Sequence, residues 1–194
     1  MLLRMPDTDS LLEALLFVAD GPVSFEDLAR ALRSDRESVL QAIERLMAAC
    51  ATRGLRIIRQ GAEVRMVTAP EAGPAIERFL GTGPPGKLSA AALETLAIVA
   101  YRQPLTRARI EAVRGVNSDA ILRSLTAKSL IAPVGRLERA GRPVLYGTTF
   151  EFLQYFGIPS LAALPTLPEL EDYSQVKGEG LGAQGVGRAP YSEI

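Results

Sequence analysis

Apolar residues crowd the interval Leu11 to Val18 so densely that Glu13 is its single polar member, and the crowding returns about eighty residues later. Leu12-Glu13-Ala14-Leu15-Leu16-Phe17-Val18-Ala19 is answered by Leu93-Glu94-Thr95-Leu96-Ala97-Ile98-Val99-Ala100. The segments after each copy also match: Pro22-Val23-Ser24 with Pro104-Leu105-Thr106, then Val39, Leu40 and Ile43 with Ile121, Leu122 and Leu125. A repeat of this length predicts two similar small domains in tandem.

Within the first copy the pattern predicts a helix from Ser10 to Asp20, apolar on every side and ended by Asp20-Gly21-Pro22. Ser24 with Asp27 resembles a capping box and opens a short helix through Leu28 and Leu32; Ser34 with Glu37 repeats the device. The third helix sets Val39, Ile43, Leu46, Met47 and Cys50 on one stripe, opposite Arg36, Gln41, Glu44 and Arg45. Leu55 to Arg59 and Glu63 to Thr68 are β-prone runs joined through Gln60-Gly61, read as a hairpin. Three helices and a hairpin make a winged helix.

A helix from Glu71 to Leu80 leads into Gly81-Thr82-Gly83-Pro84-Pro85-Gly86, where glycine and proline deny continuity to helix and sheet. In the second copy Ser89 caps Ala90 to Tyr101, Thr106 caps a helix closing at Gly115, and Asn117 or Ser118 starts the third. Val134 to Leu137 and Arg142 to Tyr146 form the expected wing around Gly141, with Pro143 on an edge strand, and Thr149 caps a last helix, Phe150 to Phe156. Beyond Pro168 the chain is acidic, then glycine-rich, and disorder is expected. The predicted architecture is mainly α with small β-hairpins: a winged-helix domain at 1–80, a linker at 81–87, a second winged-helix domain at 88–168, and a disordered tail at 169–194.

Composition narrows the chemistry. The 194 residues contain no histidine and one cysteine, Cys50, which excludes an internal disulfide and a multi-thiolate metal site and removes the commonest general base. No catalytic constellation converges, so neither an enzyme, a metal nor a cofactor is expected. No apolar run reaches the length of a membrane span, and Met1 to Pro6 lacks the form of a signal peptide, so a cytoplasmic protein is expected. The zero net charge divides unevenly: 10 basic and 12 acidic residues over 1–86, 10 and 5 over 87–165, and 2 and 5 over 166–194. The second copy is the basic one, which permits an acidic partner or nucleic acid.

That copy carries a more specific signal, in Leu93 to Arg107, in Arg114-Gly115-Val116-Asn117-Ser118-Asp119, and in Gly141-Arg142-Pro143-Val144-Leu145-Tyr146-Gly147-Thr148-Thr149. Together with Glu13 to Val18 and Phe152-Leu153-Gln154-Tyr155-Phe156-Gly157, these segments strongly resemble the segregation and condensation protein B family over roughly Leu11 to Leu167. Val64 stands where the family often has an aromatic, and the tail after Leu170 matches nothing in it. The resemblance implies a non-enzymatic subunit of a bacterial condensin-like complex. It would dimerise, bind a kleisin (segregation and condensation protein A) that bridges an SMC ATPase, support chromosome condensation and segregation, and be nucleoid-associated.

An all-round apolar helix must bury two faces, and a domain of this size offers one core face. For Leu11, Leu12, Leu15 and Leu16 the second face is either a homodimer interface or covered by the domain's own wing or Leu2-Leu3. The second domain's apolar helix and wing, with Leu96, Val99, Tyr101, Arg102, Leu105, Arg142, Tyr146 and Thr148, form the kleisin surface that the resemblance implies. For Tyr101 and Tyr146 core packing is the competing reading. The rival function is a winged-helix transcriptional regulator, whose reading helix would need several outward basic or amide side chains. Asp119 sits at the groove-facing end of the second copy's third helix, and Glu37 and Glu44 mix with Arg36 and Arg45 in the first. DNA contact is therefore expected to be at most weak and non-specific.

Overall fold

The structure, a computed structural model, describes residues 7–81 and 86–166. Most of the expected linker, the Leu2-Leu3 cover and the whole expected tail 169–194 lie outside the described residues. In chain order the elements are α1 (Thr8–Val18), β1 (Val23–Ser24), α2 (Phe25–Leu32), α3 (Arg36–Cys50), β2 (Leu55–Gln60), β3 (Glu63–Thr68) and α4 (Gly73–Leu80). The second half comprises α5 (Ala90–Arg102), β4 (Leu105–Thr106), α6 (Arg107–Arg114), α7 (Asp119–Ala127), β5 (Ile131–Arg136), β6 (Val144–Thr148) and α8 (Phe150–Phe156). Each half carries four helices, the first three of which join a three-stranded antiparallel sheet, ordered β1-β3-β2 and β4-β6-β5. The architecture is two tandem winged helices, mainly α with small sheets.

Local chemistry sets the boundaries. Ser24, Ser89, Thr106 and Thr149 cap their helices by accepting the N–H three residues on, as their spacing predicts. Two starts differ from expectation. The carboxylate of Asp7 accepts the Ser10 N–H and begins α1 earlier than Ser10, and Asp35, not Ser34, caps α3 through the Ser38 N–H. At α7 the backbone of Ser118 holds the cap position, but the Asn117 carboxamide accepts the Asp119 N–H. The short strands β1 and β4 escaped the sequence reading, because two residues show no alternation; each widens a hairpin into a sheet. The second wing also differs: β5 begins at Ile131, and the proline within a strand is Pro133, beside a register break at Gly135, while Pro143 lies outside β6.

The first core gathers Leu12, Leu16, Phe25, Leu28, Val39, Ile43, Leu46 and Cys50, closed by Ile57 and Val64 from the sheet. Each of these large side chains contributes about 1.5 to 3 kcal/mol by burial. The second core is built on Leu96, Val99, Ile110, Leu122, Leu125 and Ile131, with Phe150, Phe152 and Leu153 of α8.

Ile58 and Val67, from the first sheet, belong to this second core. Alternation explains it: Ile57 and Val64 point into the first half, so Ile58 and Val67 face the other way, onto α8. Arg65 pairs with Glu151 at 2.9 Å, Gln60 Nε2 donates to the Thr148 carbonyl at 2.6 Å, and the Arg59 N–H donates to the Pro159 carbonyl at 2.8 Å. The two halves are therefore packed together in one compact unit that extends to Leu164. Gly157 sits in the seam at φ +65°, where a Cβ would lie 2.7 Å from Pro70 Cγ, so glycine is required there twice over.

Candidate interaction surfaces

The repeat is real in the fold: the capping residues of the first helices, Asp7 and Ser89, stand eighty-two residues apart, as do the strand starts Val23 and Leu105. Leu12 and Leu16 of α1 are buried, whereas Leu93 and Ala97, which the octapeptides set opposite them, are exposed; the buried positions of α5 include Thr95, Leu96, Val99 and Ala100.

This phase decides which predicted site residues can meet a partner. Leu12 and Leu16 are buried in their own core, which corrects their assignment to a dimer interface; Leu11 and Leu15 are half-buried. Phe17 and Val18, at the end of the same helix, are instead 78% and 73% exposed. The sequence carried that signal, since an apolar run longer than one face must overflow it, but the phase could not be read without knowing where the helix begins.

In the second half Leu96, Val99 and Thr148 are likewise buried and cannot form a contact surface in this state, a correction of the same kind. Thr148 is held from both sides. Its N–H is accepted by Gln103 Oε1 at 2.7 Å, its hydroxyl accepts from Gln103 Nε2 at 2.9 Å, and its carbonyl accepts from Gln60. Leu105 and Tyr146 pair across β4 and β6 and lean half-buried on the core. Tyr101 and Arg102 are half-buried at the end of α5, and the exposed Arg142 pairs with Glu138 at 3.0 Å. The surface keeps Tyr101, Arg102, Leu105, Tyr146 and Arg142 from the predicted set. Exposed Leu93, Val113, Val116 and Val134, missed by the sequence reading, join the apolar surface of this half.

A further apolar feature is α4, where Phe79 is 88% and Leu80 62% exposed and no residue is buried. Between the halves lies an apolar cavity of about 300 Å³, lined by Ile57, Ile58, Val67, Leu153 and Ile158 among others.

Among the described residues, ion pairs and hydrogen bonds tie elements together. Asp9 on α1 grips Arg45 on α3 through two hydrogen bonds of 2.7 and 2.8 Å, and that hydrogen bonding holds its carboxyl below the usual range. At α7, Asp119 bonds Arg107 at 3.0 Å and Arg123 at 2.5 Å, so the residues facing outward at the start of that helix are already paired. Burial raises the Cys50 thiol, which makes it a poor nucleophile. Among the described residues, no group of three or more histidine, cysteine, aspartate or glutamate side chains could hold a metal ion, and no helix is long and apolar enough to cross a membrane.

Two winged helices packed against each other, with apolar side chains left at their surface, define a tandem winged-helix protein. Residues 10–167 match the family model of the segregation and condensation complex subunit ScpB, and the chain belongs to that family. Segregation and condensation protein B of Geobacillus kaustophilus is 44% identical over 173 residues, 88% of this chain and 80% of that protein. Its counterpart in Desulforamulus reducens is 46% identical over 167 residues, 84% of this chain and 90% of that protein. The crystal structure of ScpB from Mycobacterium tuberculosis matches at 39% identity with a TM-score of 0.38, covering 81% of this chain and 99% of that one.

Proposed function

We propose that this chain is a non-enzymatic, homodimeric subunit of an SMC–kleisin complex. It binds the kleisin, segregation and condensation protein A, and through it the SMC ATPase, in the cytoplasm at the nucleoid, where it supports chromosome condensation and segregation. The observation that carries the reading is the family match, which runs through both winged helices rather than one. Residues 1–80 supply the dimer contact, through Phe17 and Val18 with the half-buried Leu11 and Leu15, since solvent-facing aromatic and branched side chains at a helix end favour a protein neighbour. Residues 88–168 supply the kleisin contact, centred on Tyr101, Arg102, Leu105, Tyr146 and Arg142. Half-buried aromatics beside arginines are the composition of interface anchors. The transcriptional-regulator reading fares worse, because the carboxylate of Asp119 stands at the start of α7 and occupies two arginines.

Co-purification of the kleisin with the full-length chain, with and without nuclease, tests the reading. Retention in both arms is expected; retention that disappears with nuclease would mean that DNA, not this chain, joins the two.

A further inference from the structure

All five carboxylates of residues 87–165 are engaged: Glu94 with Arg114, Glu111 and Asp119 with Arg107, Glu138 with Arg142, and Glu151 with Arg65. The cationic surplus of this half therefore has no compensation within it. Part of that surplus is concentrated at the tip of the second wing, where Arg136, Arg139 and Arg142 fall within seven residues against the single carboxylate of Glu138. Arg136 and Arg139 are exposed, and neither forms an ion pair among the described residues.

The tip is a built turn. The Leu137 N–H donates to the Pro143 carbonyl at 2.9 Å, the Arg142 N–H donates to the Arg139 carbonyl at 2.8 Å, and Arg136 Nη1 donates to the Arg142 carbonyl at 3.1 Å. Gly141 and Arg142 both take left-handed backbone, at φ +80° and +36°; an arginine there is uncommon and needs surrounding bonds to hold it. Those bonds set Arg136 and Arg139 on a narrow two-stranded projection.

The geometry points to this wing tip as a contact for the backbone phosphates of duplex DNA, made without reading sequence. An acidic protein is the competing partner, and the tip is poor in what such an interface needs. Leu137, half-buried, is the only large apolar side chain between Gly135 and Gly141, whereas protein interfaces draw their affinity from buried apolar anchors. Contact by charge alone suits phosphates, which reward each cation by counterion release and require no anchor. The start of α7 has no comparable capacity, since Asp119 holds Arg107 and Arg123. Arg142, at the same tip, belongs to the surface proposed for the kleisin and pairs with Glu138, whereas the phosphate contact rests on Arg136 and Arg139, so replacing those two tests the inference apart from the kleisin reading.

Fluorescence anisotropy of the full-length chain with two labelled duplexes of unrelated sequence, from about 50 to 200 mM salt, tests it. Both duplexes should bind equally, with dissociation constants of roughly 10⁻⁶ to 10⁻⁴ M. Arg136→Ser with Arg139→Ser should lower the slope of log affinity against log salt by about 1.8 per chain, and Arg136→Lys with Arg139→Lys should restore it. Thermal melting of each variant establishes that it is folded. No binding by the natural chain, an unchanged slope in the serine variant, or preference for one duplex would overturn the inference. So would a serine variant that keeps its DNA slope but loses a kleisin segment in calorimetry, which would assign the tip to protein.

Discussion

Gln103 Oε1 accepts the backbone N–H of Thr148 at 2.7 Å, while the carbonyl of the same threonine accepts Gln60 Nε2 at 2.6 Å. One residue at the end of β6 is thus bound by two side-chain amides, one from each winged helix. The end of α5, the end of the second wing and the first wing meet at that point, so the orientation of the halves is coupled to the surface formed by Tyr101, Arg102 and Tyr146.

Gln103→Ala leaves the N–H and hydroxyl of a buried threonine without their partner, which costs about 1 to 3 kcal/mol. Urea unfolding followed by circular dichroism should show that loss. A midpoint equal to that of the natural chain would show that water or a neighbour takes the amide's place.

Gly157 and Gly115 provide a matched pair, with left-handed φ of +65° and +72°. A Cβ at Gly115 meets nothing, whereas at Gly157 it meets Pro70. Gly115→Ala should cost about 1 kcal/mol through backbone strain alone, and Gly157→Ala distinctly more, as the steric conflict in the seam is added. Equal melting temperatures for the two variants would contradict the packing of the halves.

The Asp9–Arg45 tie makes the first half acid-sensitive. Asp9's folded-state pKa is lowered, so its contribution to stability is present above the unfolded carboxyl range, near about pH 4, and is lost as pH falls through the folded value. Asp9→Asn should therefore lower the denaturation midpoint at neutral pH and converge with the natural chain in strong acid. A difference that persists at every pH would assign the effect to helix packing rather than to the charge.

The two faces of α1 should separate in mutagenesis. Phe17→Ser with Val18→Ser should shift the chain from dimer to monomer in light scattering while leaving its circular dichroism unchanged. Leu16→Ala should instead destabilise by about 2 to 5 kcal/mol, because it opens a cavity in the first core. A stable but monomeric Leu16→Ala protein would move the interface to the helix's other side.

Elements with long period or explicit punctuation were legible in the sequence: α3 from its stripe, α6 from Thr106 and Gly115, α8 from Thr149, and the β2–β3 hairpin from its glycine. Strands of two residues were not, because pairing with β3 and β6 creates them and their own residues scarcely signal it. The site residues failed for a different reason. An apolar helix shows that it has more oily surface than one core can take, yet which turn is buried depends on its start, and Asp7 set that start earlier than Ser10. The seam was illegible because Ile58 and Val67 look like ordinary alternation, and the helix they meet lies more than eighty residues away by number.

Each sheet presents one long outer strand, β2 or β5, and the two are protected differently: the Arg59 N–H of β2 is taken by Pro159 from the chain itself, while β5 carries Pro133 and a break in register. Two near-duplicate sheets in one polypeptide are templates for each other, and during folding the strand of one could add to the open border of its twin. A loop bonded to one border and a proline with a register break on the other make the two rims unlike, which works against such an exchange. The duplication is kept from misreading itself by the places where its halves differ.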